Sequence, residues 1–262
     1  MTAAPRSPQP GLRIDPDTGK RILLVIGLAL ELIMMAAGLW PAAWLVLRFA
    51  PSARTPGHWV LLILAAVLVF NYGYLLALLA LRILIPVPCE GDYPLTPDGR
   101  VPRALRRFML NVLLVKARFE PPWAAMFSSV LTRIPPLSWP FARCFGPRTT
   151  SVTMGDTLIL PDPHFVEAGK NVEFGYGCAI VAHQFDNRGM HIRRVRIGDH
   201  AVIGGQATLM AGVEVGHHAV IATRALVLPE TKIGPYEYWA GIPAQKVKDL
   251  PAHAGASPAA AP

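Results

Sequence analysis

Residues 197–244 read, in blocks of six, IGDHAV IGGQAT LMAGVE VGHHAV IATRAL VLPETK IGPYEY WAGIPA. Each block opens on an aliphatic or aromatic residue: Ile197, Ile203, Leu209, Val215, Ile221, Val227, Ile233 and Trp239. The fifth place holds Ala201, Ala207, Val213, Ala219 and Ala225, then Thr231, Glu237 and Pro243. Glycine follows the opening residue directly at Gly198, Gly204, Gly216 and Gly234. A helix repeats about every 3.6 residues and a strand every two, so a period locked to six requires a chain that turns a corner at fixed intervals. The pattern is that of a parallel β-helix, in which each hexad is a short strand plus a turn and about three hexads complete one triangular coil. The opening residue points into the prism, the small residue fits beside it, and the glycine relieves the corner. Eight hexads make two to three coils.

Upstream the repeat is imperfect, with Phe145-Gly146 and Met154-Gly155-Asp156, then cleaner at Phe174-Gly175, Cys178 and Ile180. Seventeen residues separate Ile180 from Ile197 where three hexads need eighteen. The segment His183–Arg196 has no core residue in phase and carries Arg188, His191, Arg193, Arg194 and Arg196, so it leaves the coil as a loop. Loops on a rigid scaffold are where binding and catalysis concentrate.

The chain before the coil has a different character. Its 262 residues are 52% hydrophobic and only 16% charged, and the excess lies early. Ile22–Leu47 contains one charge, Glu31, and Trp59–Leu81 none. Each run meets the roughly 20 residues that a bilayer core demands. The first is too long for the apolar region of a signal peptide. Both are expected to be transmembrane helices joined by the loop 48–58. Arg6, Arg13, Lys20 and Arg21 precede the first; Arg82, Arg100, Arg103, Arg106 and Arg107 follow the second; the loop holds Arg48 and Arg54. That bias puts both termini and the coil in the cytoplasm, on a protein of the cell inner membrane. Counting inward from Arg21 and Arg82, Glu31 and Asn71 lie at matching depth, so a hydrogen bond from Glu31 to Asn71 or Tyr72 is expected.

The boundaries that follow are a disordered tail at 1–20, a transmembrane hairpin at 21–85, a connector at 86–144, the coil at 145–248 and a disordered tail at 249–262. In the connector, Pro86, Pro88, Pro94, Pro97 and Pro102 enforce irregular chain. Ala104–Phe119 then sets Leu105, Phe108, Met109, Val112 and Leu113 against Arg103, Arg106 and Arg107, a basic amphipathic helix suited to the cytoplasmic leaflet. A further helix is expected over Trp123–Ile134. With membrane spans adjacent and no nucleic-acid-binding motif present, the basic face of Ala104–Phe119 points to lipid phosphate rather than nucleic acid. Cys89, Cys144 and Cys178 have no metal-ligand spacing and read as reduced thiols, Cys178 in the core.

His183 stands where the coil gives way to the basic loop. A histidine there is suited to act as a general base, with Asp186 or a neighbouring carbonyl fixing its tautomer. His200 and His218 share a hexad position and should stack on neighbouring coils with His217 alongside. All three lie in outward positions, so no metal site is assigned. The loop arginines suit a phosphate or an acidic protein surface.

The segment His183-Gln184-Phe185-Asp186-Asn187-Arg188, then Arg196-Ile197-Gly198-Asp199, and the ending Trp239-Ala240-Gly241-Ile242-Pro243-Ala244 resemble the terminal membrane region of poly-lysine-type non-ribosomal peptide synthetases. The histidine motif of that family usually reads His-Leu-Phe-Glu-Asp-Arg; this chain keeps His183, Phe185 and Arg188 and has Asp186 and Asn187 in place of Glu and Asp. The resemblance runs over about 20–248. It implies a left-handed hexapeptide β-helix behind two transmembrane helices and transfer of an acyl or aminoacyl group to an amine or hydroxyl. The donor is a thioester on coenzyme A or on the phosphopantetheine of a carrier protein, with no resident cofactor. In that family the unit occurs three times, so a single unit implies a homotrimer. His183 and Asp186 are the expected catalytic residues, and Gln184, Arg188, Gly204, Gly205, Gly241 and Pro243 the expected substrate-binding ones. Two other classes stay open: a non-catalytic trimeric membrane scaffold, and a metal-dependent hydratase like the γ-type carbonic anhydrases.

Overall fold

The computed structural model describes residues 12–13, 16–94, 100–101, 103–117, 138–145, 151–154 and 158–252. The expected helix at Trp123–Ile134, and Gly146, Gly155 and Asp156 of the early repeat, lie outside these residues. The chain forms two compact units, one from Met1–Cys89 and Tyr93–Phe145, the other from Glu90–Asp92 and Gly146–Pro262.

The second unit is a stack of parallel strands on three faces. The first face orders Val166–Ala168, Val195–Ile197, Glu214–Val215 and Lys232–Ile233; the third orders Ala179–Ile180, Thr208–Leu209 and Leu226–Val227. Between them the second face stacks Lys170–Phe174, Val202–Ile203, Val220–Ile221 and Glu237–Gly241, with Ser151–Met154 beneath. Ile203 pairs with Ile221, Leu209 with Val227 and Val215 with Ile233, each an offset of eighteen residues. The hexad openers from Ile197 to Ile233 and the small residues Ala201, Ala207, Val213, Ala219 and Ala225 are all buried. Burial of this kind is the main force holding such a stack together.

One coil carries an insertion. Ala168 pairs with Ile197, Phe174 with Ile203 and Ile180 with Leu209, all at an offset of 29. Subtracting the regular eighteen leaves eleven extra residues (29 − 18 = 11). The seventeen residues between Ile180 and Ile197 are therefore one hexad plus eleven, not three hexads short by one. The insertion is a hairpin rather than an irregular loop: His183–Phe185 runs antiparallel to Gly189–Ile192, and Arg193 N donates to Ala182 O (2.9 Å) to close its base. The coil resumes at Val195, so Arg196 belongs to a coil strand.

From His200 to Tyr236 each corner uses one residue in the left-handed region. His200, Gln206, Gly212, His218, Arg224, Glu230 and Tyr236 recur at intervals of six with φ between 57° and 78°. Only Gly212 adopts this region without a steric penalty.

The hexad rule lapses at the last turn. Thr231 and Glu237 replace small core residues and are partly exposed, and Ala244–Asp249 folds back antiparallel on Glu237–Gly241. Glu237 accepts hydrogen bonds from Gly234 N, Trp239 Nε1 and Lys246 Nζ, all at 2.8 Å, and these donors hold its carboxyl below the usual range, Lys246 first among them. Leu250 N donates to Tyr236 O (2.6 Å), so ordered chain continues past the expected boundary at 248.

In the helical unit, α1 (Pro16–Phe49) and α2 (Pro56–Leu84) are both long and apolar enough to cross a membrane. The structured chain starts earlier than a tail at 1–20 would allow, because Pro16 opens α1 and Leu12–Arg13 pairs with Arg100–Val101. Proline suits a first helical position, where its missing N–H has no partner to lose. Thr55 caps α2 by accepting from His58 N (3.3 Å). The two helices touch backbone to backbone: a Cβ on Gly73 would lie 2.4 Å from Ala37 O, and one on Gly38 2.5 Å from Phe70 O. The outward face of α1 carries Leu32, Leu47, Trp44 and Trp40, the last 82% exposed, and that of α2 carries Trp59, Leu61, Ile63 and Leu64.

Glu31 meets neither Asn71 nor Tyr72. Tyr74 places its hydroxyl 3.3 Å from Glu31 Oε1 and 2.9 Å from Ala117 O, while Asn71 Nδ2 donates to Val67 O of its own helix (2.8 Å). Matching by depth ignores reach, and a tyrosine places its hydroxyl well away from its own Cα. Helix α3 (Arg103–Ala117) departs from a surface-lying helix: Phe108, Leu114, Val115 and Ala117 are buried, the last three in one cluster with Met34, Tyr74, Leu78 and Phe145 of α4 (Ser138–Phe145). Arg82, counted above as a flanking cation, is 4% exposed and donates from Nη1 to Ile85 O (3.2 Å).

Candidate active site

The third face ends at Ala182, and the hairpin begins with His183. One coil earlier, Ile159 bridges to Ala179. Three residues beyond each partner lie Asp162 and Ala182, which the same stacking brings together. Ala182 N donates to Asp162 Oδ2 (3.0 Å), and His183 Nδ1 lies 2.6 Å from that oxygen. Asp162 sits between Pro161 and Pro163, heading a 3-10 turn closed by Phe165 N to Asp162 O (3.0 Å), so its backbone is held on both sides. The carboxylate side chain is 3% exposed and the imidazole 22%. A carboxylate at Nδ1 keeps the proton on that nitrogen and puts the lone pair on Nε2, the tautomer of a general base.

Asp186 does not perform this role. It lies three residues from His183, so strand alternation directs it to the opposite face, and it then enters the turn. Its Oδ1 accepts from Arg188 N (2.7 Å) and Gly189 N (3.0 Å), an Asx turn that closes the hairpin tip. Phe185, two residues on, shares the face of His183, with ring centroids 5.9 Å apart. Gln184 pairs with His191 across the hairpin and belongs to the other face.

That other face holds a second charged cluster which the hexad pattern gave no means to find. His191 Nδ1 lies 2.6 Å from Asp92 Oδ1 and its Nε2 3.1 Å from Asp186 Oδ1; Arg193 Nη2 reaches the same Asp92 oxygen at 2.6 Å. Hydrogen bonding to Asp92, then to Asp186, holds the imidazole above its ordinary pKa. His191, then Arg193, holds the Asp92 carboxyl low. Hydrogen bonds from His191 and the turn amides do the same for Asp186. Arg194 pairs with Glu90 and with Glu167 (2.6 Å), and Arg196 with Glu214 (3.3 Å). Of the five basic residues singled out in this segment, Arg188 at the exposed tip is the one whose side chain has no partner among the described residues.

Gly204 and Gly205 occupy the corner between the second and third faces, whereas His183 leaves from the end of the third. A Cβ on Gly204 would lie 2.5 Å from Thr223 N, so close coil stacking accounts for that glycine. Gly241, Ile242 and Pro243 form the turn between the last two strands and are exposed. His200 and His218 stack as expected, with centroids 4.8 Å apart, and Tyr236 continues the column at 4.8 Å from His218. No three His, Cys, Asp or Glu side chains among the described residues are grouped to hold a metal ion. Burial raises the Cys178 thiol to about 11, so at neutral pH it is protonated and part of the core.

No family model matches the chain, and no curated relative does. Among solved structures it is similar to a maltose O-acetyltransferase from Clostridium difficile 630 at 16% identity and TM-score 0.39, over 49% of this chain and 85% of that one. It is also similar to a hexapeptide-repeat-containing acetyltransferase from Vibrio cholerae O1 biovar eltor complexed with acetyl coenzyme A, at 13% identity and TM-score 0.40, over 57% and 91%. A serine acetyltransferase from Brucella abortus strain S19 aligns at 14% identity and TM-score 0.33, over 55% and 57%.

Proposed function

We propose that this chain is an acyltransferase of the cell inner membrane, with α1 and α2 as the anchor and a left-handed coil in the cytoplasm as the catalytic domain. The observation that carries the reading is the 2.6 Å contact of His183 Nδ1 with the buried Asp162 carboxylate, at the place where the coil opens into a hairpin. In the reaction, an acceptor amine or hydroxyl attacks the carbonyl carbon of a thioester while His183 Nε2 takes its proton. The C–S bond then breaks, and the imidazolium returns the proton to the departing thiolate, giving an amide or ester and a free thiol. Asp162 steadies the imidazolium through the intermediate.

The donor is coenzyme A or a carrier-bound phosphopantetheine, and Arg188 is the cation for its phosphate. With an aminoacyl donor and an amine acceptor the product is a peptide bond, the chemistry implied by the resemblance to the synthetase membrane region. A homotrimer of closed threefold symmetry is the assembly that goes with this reading, as the resemblance implies. Exposed leucines and tryptophans along helices of membrane-crossing length support the anchor, and the flanking arginines support cytoplasmic termini.

The test is thiol release by detergent-solubilised protein offered acyl and aminoacyl thioesters with amine and alcohol acceptors. Acceptor-dependent release that disappears in His183→Ala supports the reading. Absence of release from any donor, by protein that remains folded, moves the assignment to a non-catalytic scaffold.

A further inference from the structure

The segment Glu90–Asp92 lies between α2 and α3 in the sequence yet belongs to the compact unit of the coil. Gly91–Pro94 is the outer strand of a three-stranded sheet, with Gly189–Ile192 in the middle and His183–Phe185 at the other edge. A two-stranded hairpin is marginal on its own, and a third strand steadies it. The side chains reinforce this arrangement. His183 pairs across the hairpin with Ile192, which is fully buried. The residues on either side of Ile192, His191 and Arg193, both reach one oxygen, Asp92 Oδ1, each at 2.6 Å. A single carboxylate therefore clamps the chain on both sides of the residue that faces His183. Glu90 ties the start of the same segment to Arg194, and Arg194 also pairs with Glu167 of the first face.

This clamp supplies position rather than global stability. The Asp92 side chain is 60% exposed, and ion pairs so open to water contribute little to folding. Transfer is less forgiving, because catalytic groups must stay within about 0.5 Å of their working geometry. Asp162 is fixed to the coil by its turn and by Ala182 N, whereas His183 rides on the hairpin. Any rocking of the hairpin opens the 2.6 Å contact between them. We propose that Asp92 is a positioning residue for transfer: through His191 and Arg193 it holds the hairpin so that His183 stays on Asp162. That role rests on the reading of His183 as a general base, so one arm of the test does not depend on transfer.

The full chain in detergent is compared as wild type, Asp92→Ala and Lys232→Ala, the last removing an exposed partner of Glu214 elsewhere on the coil. In Asp92→Ala, hydrogen exchange of the His183–Phe185 amides should quicken about fivefold, while that of Val202–Ile203 and the melting temperature stay as in wild type. In thiol release, kcat should fall about tenfold with KM within about twofold. In an Asp162→Asn background the same change should cost less than about twofold, because the contact it protects is already weakened. A defect that merely lowered the folded fraction would cost the same in both backgrounds. Lys232→Ala should match wild type in every measurement. Unchanged exchange at 183–185 overturns the proposal whether or not the protein transfers an acyl group. Equal losses in the two backgrounds, or quicker exchange with no loss of rate, overturn it as well. Absence of release by the wild type refutes the reading of His183 instead, and exchange alone then decides whether Asp92 holds its strand.

Discussion

Asp162 and His183 are 21 residues apart in sequence and 2.6 Å apart in space, because an eleven-residue hairpin departs one residue after the coil has stacked Ala182 above Asp162. Asp162→Asn preserves an acceptor for Ala182 N but removes the charge that favours an imidazolium. Thiol release should fall about 10²-fold with KM little changed, and His183→Ala should lower it at least as far. Asp186→Asn, which can still form the Asx turn, should leave the rate within about twofold. If instead Asp186→Asn abolishes release and Asp162→Asn does not, the assignment of the orienting carboxylate is wrong.

The two neighbouring corner glycines should respond differently to alanine. A Cβ on Gly204 would lie 2.5 Å from the backbone nitrogen of Thr223, whereas one on Gly205 would lie 3.2 Å from Tyr176 O. Gly204→Ala must separate two coils and should cost about 1–3 kcal/mol, the range for overpacking. Gly205→Ala should cost clearly less. Thermal denaturation of the two variants side by side checks this.

Stability of the hairpin clamp should depend on pH in two directions. His191 has a folded pKa raised above its unfolded value of about 6.5, so its contribution is complete below that value and is lost as pH rises through the folded pKa. Asp92 and Asp186 have lowered pKa values, so theirs is present above about 3.9 and is lost as pH falls through their folded values. Protection of the Gly189–Ile192 amides from hydrogen exchange should therefore be greatest between about pH 4 and 6.5. His191→Asn should abolish the decline on the alkaline side, and an unchanged profile in that variant counts against the clamp.

Where α1 and α2 cross, Gly73→Leu would drive a side chain into Ala37 O and Gly38 Cα. Neighbouring backbone cannot yield as a side chain can, so the helices must part. Limited proteolysis in detergent should show faster cleavage of the 50–55 turn than in wild type, while Ala77→Leu, a partly buried position, should have a smaller effect.

The hexad openers and their small partners were legible because burial in a coil repeats with the chain, and a regular period survives any ignorance of handedness or height. That the chain leaves the coil after Ile180 was legible, because no core residue falls in phase there, but the length of the excursion was not: a spacing of seventeen does not say that it is one hexad plus eleven residues, so Arg196 was counted in the loop when it lies on a coil strand. Asp162 was invisible for a related reason. It lies in a coil whose register is twenty, so no multiple of six connects it to His183, and only the Pro161-Asp162-Pro163 triplet hinted at a rigidly held carboxylate. The pairing of Arg193 and Arg194 with Asp92, Glu90 and Glu167 joins segments about a hundred and about 27 residues apart, beyond the reach of any local pattern. In the helical unit, apolar length announced two long helices, but the partner of Glu31 depends on where tyrosine side chains end.

The left-handed residues at the corners from His200 to Tyr236 have a consequence for how such a chain can change. A side chain held at positive φ is stationed on an outer edge of the prism, and residues eighteen apart form a column there: His200, His218 and Tyr236 along one edge, Gln206 and Arg224 along another. The backbone constraint concerns conformation: it weighs most on β-branched residues and less on Asn, Asp and His, and among the rest it does not select charge or polarity. The interior thus restricts volume and tolerates little variety, while each edge restricts geometry and leaves chemistry open. Edges of different character can be written onto one scaffold, one column at a time, without disturbing what holds it together.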